Sequence, residues 1–313
     1  MRPESFLSEA DVRRLLDPAR LIAAIESAFR DRYPSVAITP RPLLQLVDGV
    51  FLTMSCYDPS GPALGMKLIT VRKNCAPGEG VSATYLLLDP ETGAPRMTVA
   101  ANYLTDLRTA ATSAVATKFL ARPNAATLGI FGTGRLARTH LTALALVRSF
   151  RRVLVCGRNP SRSAEFVEEV AADIPGLTIT SADARTCAAE SDVICTCTSN
   201  SEPLFDGHDL RPGTHLNLVG AFQPHAREVD THTIRRARVI VDTYEAAKLE
   251  MGELLIPLKE GAIKPNHAAA DLHELISGKK PGRCTPEEIT VFKSVGCALE
   301  DVVAAELLLA GGG

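Results

Sequence analysis

The chain has 313 residues, 46% apolar and 22% charged, with a formal net charge of −2. That length suits one or two domains, and so small a charge leaves no electrostatic footprint for nucleic acid. No apolar run approaches the roughly 20 residues of a membrane span, and the opening stretch MRPESFLSEADVRR lacks the apolar core of a signal peptide, so a cytoplasmic protein with no membrane partner is expected.

Ser8-Glu9-Ala10-Asp11 reads as a helix cap. Val12, Leu15 and Leu16, then Leu21, Ile22, Ile25 and Phe29, predict two amphipathic helices broken near Pro18. From Pro40 to Asp89 the chain reads as β-rich, with runs Leu43–Val47, Val50–Met54, Gly65–Val71 and Ala83–Leu88 between Gly, Pro and Asp turns. Pro90–Gly93 is a turn. The Ala-rich stretch Tyr103–Leu120 predicts a helix ending before Arg122-Pro123, where a hinge into a second domain is expected.

That second domain opens on Thr127–Ala137, TLGIFGTGRLA. An apolar strand runs into Gly132-Thr133-Gly134 and then into a helical pattern from Arg135 and Leu136, with Leu141, Leu144 and Val147 at helical spacing. This is the order a dinucleotide pyrophosphate needs. Gly132 makes the tight turn, Gly134 keeps side chains away from the phosphates, Ala137 lets helix and strand pack closely, and the helix N-terminus faces the anion. A second strand, Arg152–Cys156, completes the mononucleotide-binding unit. At its end, where an acid would meet the ribose of NAD, the chain reads Cys156-Gly157-Arg158-Asn159-Pro160-Ser161-Arg162. Arg158 and Arg162 suit a 2′-phosphate, so NADPH is the expected cofactor, with NADH the alternative.

Further strands follow at Leu177–Thr180, Asp192–Thr198, Thr214–Gly220 and Val239–Asp242, alternating with helical segments around Phe166–Val170 and Ala188–Ser191. The pattern predicts an α/β fold of the Rossmann type, a doubly wound parallel sheet, spanning 123–296, beside an α+β domain, 1–122, rejoined by a C-terminal helix at 297–313. The stretch Glu287 to Leu309 reads as strongly helical, with a frayed Gly311–Gly313 tail. The eight cysteines form no C-x-x-C and read as free, buried, reduced thiols. The seven histidines show no HExxH or H-x-x-x-H spacing, so no metal is expected.

Three cations, Arg41, Lys67 and Arg108, sit among apolar or small residues. Two readings stand open: a cage for a substrate carboxylate, or surface cations with buried stems. Met54 reads as pocket lining or as core.

Collinear stretches along nearly the whole chain carry a resemblance. They are Thr39-Pro40-Arg41-Pro42, Phe51-Leu52-Thr53-Met54, Gly65-Met66-Lys67, Leu104-Thr105-Asp106-Leu107-Arg108-Thr109-Ala110-Ala111, Gly132-Thr133-Gly134, Val219-Gly220-Ala221 through Arg227-Glu228, Gly282-Arg283 and Thr290-Val291-Phe292-Lys293-Ser294-Val295-Gly296. The chain resembles the ornithine cyclodeaminase/μ-crystallin family. The resemblance implies a homodimer, a substrate and dimerisation domain at the N-terminus, and an active site in the cleft between the domains. It implies that Arg41, Lys67 and Arg108 hold the substrate carboxylate; a partly desolvated lysine can also lower its pKa and exchange a proton, so Lys67 is expected to take part in proton transfer. Thr109 would reach the cofactor phosphates, and Ser294 and Gly296 would line the nicotinamide. Thr198, Val219 and Asn159 complete the expected cofactor set.

Two departures are informative. Phe222 stands where the cyclodeaminases carry an Asp base, and Gly-Ala-Phe-x-Pro-x-x-Arg-Glu resembles the family's reductases of cyclic imino acids. Leu136 replaces the usual Gln. The expected activity is NAD(P)H-dependent reduction of Δ1-pyrroline-2-carboxylate to L-proline, with Δ1-piperideine-2-carboxylate to L-pipecolate alongside. The alternatives are an ornithine cyclodeaminase, an alanine-type dehydrogenase, and a non-catalytic NADPH-binding protein like the crystallins.

Overall fold

The computed structural model describes residues 5–61, 63–72, 75, 79–174 and 176–311. The chain divides into two compact units, Met1–Thr112 with Gly296–Gly313, and Ser113–Val295. The division falls inside a helix rather than at Arg122-Pro123.

The first unit begins with β1 (Ser5–Leu7), α1 (Glu9–Leu15) and α2 (Pro18–Ser27). Ser8 and Asp11 form a capping box at α1. Asp17 caps α2 and Pro18 occupies its first turn, where a missing N–H costs nothing, so the expected break near Pro18 is a new helix start. Then come β2 (Ala37–Ile38), β3 (Leu43–Leu46), β4 (Gly49–Asp58), β5 (Ala63–Arg72), β6 (Val81–Leu88) and β7 (Pro95–Ala100). The sheet order is β1-β7-β6-β5-β4-β2, with β3 also on β4. β1 joins β7 in parallel and the others pair antiparallel. β1, β2 and β7 were not legible in the sequence; β7 directly follows the 90–93 turn and closes a hairpin with β6.

Helix α3 (Asn102–Leu120) leaves this sheet. Glu9 of α1 accepts from the backbone N–H of Asn102 at 2.7 Å and Tyr103 at 2.9 Å, satisfying donors that a helix start leaves without partners.

The second unit runs β8 (Thr127–Phe131), α4 (Arg135–Ala145), β9 (Arg152–Cys156), α5 (Pro160–Ala171), β10 (Thr178–Ser181), α6 (Ala184–Glu190), β11 (Val193–Thr196) and β12 (His215–Leu218). It continues with α7 (Thr231–Arg236), β13 (Ala237–Val241), α8 (Tyr244–Leu249), α9 (Gly252–Lys259), β14 (Ala268–Asp271), α10 (Leu272–Ile276) and β15 (Ile289–Lys293). The sheet order is β10-β9-β8-β11-β12-β15-β13-β14, every described pairing parallel. This is the doubly wound sheet expected from the alternation. Its order reverses between β8 and β11, and ligands of such sheets bind outside the strand ends at that point. β8, β11, β12 and β13 are buried, as parallel strands covered on both faces must be.

The predicted helix Glu287–Leu309 is in fact β15 followed by α11 (Ala298–Gly311). Thr290, Val291 and Phe292 are β-branched or aromatic and fit a strand, and Gly296 at φ +93° turns the chain between the two elements. α11 returns to the first unit, where it packs on β4, β5 and α2. Gly312 and Gly313 of the expected tail lie outside the described residues. Val147 falls past the end of α4. Among the described residues no helix is long and apolar enough to cross a membrane. Cys56, Cys187, Cys195 and Cys297 are buried, but Cys75 and Cys284 are exposed, against the expectation of buried thiols throughout.

Candidate active site

In the first unit, strand register places Met54, Lys67 and Tyr85 in one row across β4, β5 and β6, and residues in such a row share a face. Met54 is buried beside Lys67. Lys67 is fully buried, and its Nζ donates to Asp301 Oδ1 at 2.7 Å. Arg108 on α3 is also buried; its Nη1 donates to Glu300 Oε2 at 2.6 Å, and its Nε lies 3.0 Å from Asp301 Oδ1. Arg41 donates to the Gly296 carbonyl at 2.8 Å. A Cβ at Gly296 would fall 2.5 Å from Arg108 Nη1, so glycine is needed for both its φ and its space.

The structure thus brings the three expected cations into one unit, but not into apolar surroundings. The sequence reading missed their partners, Glu300 and Asp301, both fully buried on α11. The available signal was an adjacent acidic pair inside an apolar helical run, since acids are almost never buried without a partner. Asp301 meets both Lys67 and Arg108, and Glu300 meets Arg108. Burial, and then the Arg108 charge, push the Lys67 pKa down to about 8 against the upward pull of Asp301. Burial opposes the charge on Arg108 as well, but Asp301 and Glu300 outweigh it and hold its pKa above the ordinary arginine value. Asp301 Oδ2 and the Tyr85 hydroxyl are buried without a hydrogen-bond partner, the kind of atom that an ordered water or a polar ligand satisfies. Thr109 turns its hydroxyl back to the Thr105 carbonyl of α3 at 2.7 Å.

In the second unit, Gly132 has φ +120°, and a Cβ there would sit 2.8 Å from the Cys197 carbonyl. Gly134 caps α4, and a Cβ on it would meet nothing within 4 Å. The turn is therefore tight on the sheet side and open in front of the α4 N-terminus, as a pyrophosphate requires. Thr133 borders Gly157, whose own Cβ would fall 2.8 Å from Thr133 Cγ2. Ala137 is fully buried, while Arg135 and Leu136 are partly so.

The expected pair of arginines at the end of β9 is not a matched clasp. Arg162 is bound to Glu169 at 2.6 Å and Glu165 at 3.2 Å on its own helix, α5. Its spacing along that helix, i to i+3 and i+7, decides this. Arg158 is exposed at the strand end, and the Asn159 side chain caps α5 by accepting from the Ser161 and Arg162 N–H groups.

Two buried acids hold the strand ends. Glu228 accepts from Thr196 Oγ1 (2.7 Å), Thr198 N (2.9 Å), Thr198 Oγ1 (2.7 Å), Gly220 N (2.8 Å) and Ala221 N (3.3 Å). It fixes Thr198 and the turn after buried Val219. Asp242 accepts from Ser294 Oγ at 3.0 Å and Val295 N at 2.7 Å. Buried Lys293 pairs with Glu253 at 2.9 Å and donates to the Ala221 carbonyl at 2.5 Å, next to the partly buried Phe222. The motif containing Arg227-Glu228 was legible, but Glu228's role was not, because its five donors come from the carboxyl ends of two separate strands and the turns after them.

A sequence model of the ornithine cyclodeaminase/mu-crystallin family matches residues 2–309. A Delta(1)-pyrroline-2-carboxylate reductase of Bacillus cereus is 36% identical over 308 residues, 96% of this chain and 94% of that one. The ketimine reductase mu-crystallin of Rattus norvegicus is 34% identical over 319 residues, covering 98% and 97%. Among solved structures, the Thermococcus litoralis Delta(1)-pyrroline-2-carboxylate reductase in complex with NADH and L-proline superposes with a TM-score of 0.94 at 36% identity, covering 98% of this chain and 97% of that one. With a family model over nearly all its length and such relatives over more than nine-tenths of it, the chain belongs to the ornithine cyclodeaminase/mu-crystallin family.

Proposed function

We infer that the chain is an NAD(P)H-dependent oxidoreductase that reduces cyclic imino acids, Δ1-pyrroline-2-carboxylate to L-proline and, one methylene larger, Δ1-piperideine-2-carboxylate to L-pipecolate. The observation that carries this reading is the buried pair Lys67 and Arg108, oriented by Asp301 and Glu300, with the half-buried Arg41 held to the Gly296 carbonyl. It supports capture of a small carboxylate by oriented, desolvated donors. Relatives named as reductases of this substrate, one solved with NADH and L-proline, support the ring chemistry.

A bound nicotinamide supplies the hydride. The residues orient and protonate. Arg41 and Arg108 offer forks to the carboxylate, their own geometry fixed by Gly296, Glu300 and Asp301. Lys67, with its lowered pKa, is the member of this set able to exchange a proton near neutral pH and keep the imine nitrogen charged. Met54, the neighbour of Lys67 across β4 and β5, offers apolar surface to the ring. Phe222 accepts no proton, which weighs against deamination. The open glycine turn supports dinucleotide binding by Gly132, Thr133, Gly134, Arg135, Leu136 and Ala137, with Thr109, Asn159, Thr198, Val219, Ser294 and Gly296 completing the set. The preference for NADPH rests on Arg158, since Arg162 is held by two glutamates. The protein acts as a cytoplasmic homodimer. Exposed Leu43, Leu44 and Val47 beside the β3 edge support a covered face there.

One screen tests this. NADPH and NADH are followed at constant protein against the two cyclic imines, pyruvate with ammonia, and ornithine. Oxidation with the imines at a kcat/KM well above that with pyruvate and ammonia is the expected result. Ammonia release from ornithine, or no oxidation with any imine, overturns the reading in favour of a cyclodeaminase or a non-catalytic binder. Arg158→Asp in the same screen is expected to move the NADPH/NADH ratio by about tenfold toward NADH, equivalent to roughly 1.4 kcal/mol.

A further inference from the structure

His140, Cys195 and Cys197 lie far apart in sequence or in no ligand spacing, yet one ligand atom from each falls within 4.8 Å of the others. Cys195 and Cys197 are two residues apart on an extended segment, so their side chains share a side, and their sulfurs are 3.5 Å apart. His140 comes from α4. Its Nδ1 lies 2.8 Å from the Leu136 carbonyl, which can only accept, so Nδ1 carries the hydrogen and Nε2 carries the lone pair. A histidine anchored through one nitrogen by a carbonyl, with the other turned to a cluster of sulfurs, is the orientation metal-ligating histidines adopt. Ser113 Oγ, 3.0 Å from Nε2, donates to that lone pair in the metal-free protein; an ion would take the lone pair in its place and find the hydroxyl oxygen beside it for a fourth position.

We propose that Cys195, Cys197 and His140 form a site for one thiophilic d10 cation, of which Zn2+ is the ion that fits. Zinc–sulfur bonds of about 2.3 Å at the tetrahedral angle place two thiolates about 3.8 Å apart, a few tenths of an ångström beyond the separation found. On binding, both thiols release their protons to solvent and the imidazole stays neutral. Two thiolates and a dication sum to zero charge, so burial penalises the complex far less than it would a lone ion. His140 and Cys195 are buried and Cys197 is partly so. The site backs onto the glycine turn, since Cys197 N donates to the Phe131 carbonyl at 2.8 Å and the Cys197 carbonyl packs against Gly132.

The test uses the full chain, reduced with a phosphine and stripped of metal. Co2+ serves as the spectroscopic probe, and Zn2+ competes with a chromophoric chelator. One equivalent of Co2+ with a thiolate-to-cobalt charge-transfer band, displaced by Zn2+, is expected for the wild type and for a Cys75→Ser/Cys284→Ser variant lacking the exposed thiols. Cys197→Ser is expected to lose the band and at least about 100-fold in Zn2+ affinity. On the wild type itself, Zn2+ should slow iodoacetamide labelling of Cys197, read by peptide mass spectrometry, so the proposal does not depend on a variant folding. No bound equivalent, binding that survives Cys197→Ser, binding lost with the exposed thiols, or unprotected Cys197 overturns it. None of these readouts uses imine reduction, so failure here and failure of that function are distinguishable.

Discussion

Lys67 shows what a single buried residue decides. An ammonium taken wholly out of water is costly, and a buried ion pair is weak evidence of stability, so the carboxylates around Lys67 and Arg108 point to use rather than to cohesion. Because the folded-state pKa of Lys67 lies near 8, below the ordinary 10.5, the cost of its buried charge is present below about pH 8. It is relieved as pH rises from there toward 10.5. For the reaction the sign is the reverse: the protonated lysine is the useful form, so kcat/KM for imine reduction, which reports the free protein, should fall as pH rises through about 8. Asp301 raises the Lys67 pKa, so Asp301→Asn should move that alkaline limb to lower pH and destabilise the fold by about 3 kcal/mol. A pH–rate profile whose limb stays in place in the variant would sink the assignment of the limb to Lys67. Lys67 and Arg108 were legible in the sequence as cations out of place among apolar residues. Their acids were not, because pairing across more than 190 positions leaves no local trace.

At the scale of elements, the glycine turn was legible since strand, turn and helix are contiguous and each glycine answers a local need. The fused reading of β15 and α11 failed for a physical reason. Both segments are mostly apolar and buried, and a short buried strand has no period to separate it from a buried helix. The loops at the carboxyl ends of β11 and β12 depend on Glu228, which no local pattern marks. Glu228→Gln keeps the volume but turns an amide donor toward donors already there. Loss of charged hydrogen bonds worth about 1.5–3 kcal/mol should weaken NAD(P)H binding by about ten- to a hundredfold, measured by quenching or enhancement of nicotinamide fluorescence. Binding unchanged in a folded variant would mean that these loops are held without it.

For the whole molecule, the alternation of strands and helices determines a parallel sheet, whereas the exposed apolar residues near β3 acquire meaning only in three dimensions. Leu44, on β3 paired to β4, is 61% exposed, and Val47 in the turn that follows is fully so. If that face joins two copies, Leu44→Glu should convert a dimer to a monomer in sedimentation velocity; a variant sedimenting unchanged places the interface elsewhere. The sequence by itself determined the glycine turn and the doubly wound sheet, because each rests on residue type and short-range spacing, and it marked the three cations only as out of place among apolar residues. Only the tertiary structure decided which charges meet. It returned α11 to the first unit with two acids for those cations, tied Arg162 to its own helix, and brought a histidine to a pair of cysteines. Such contacts depend on how distant segments pack, and spacing along the chain does not encode them.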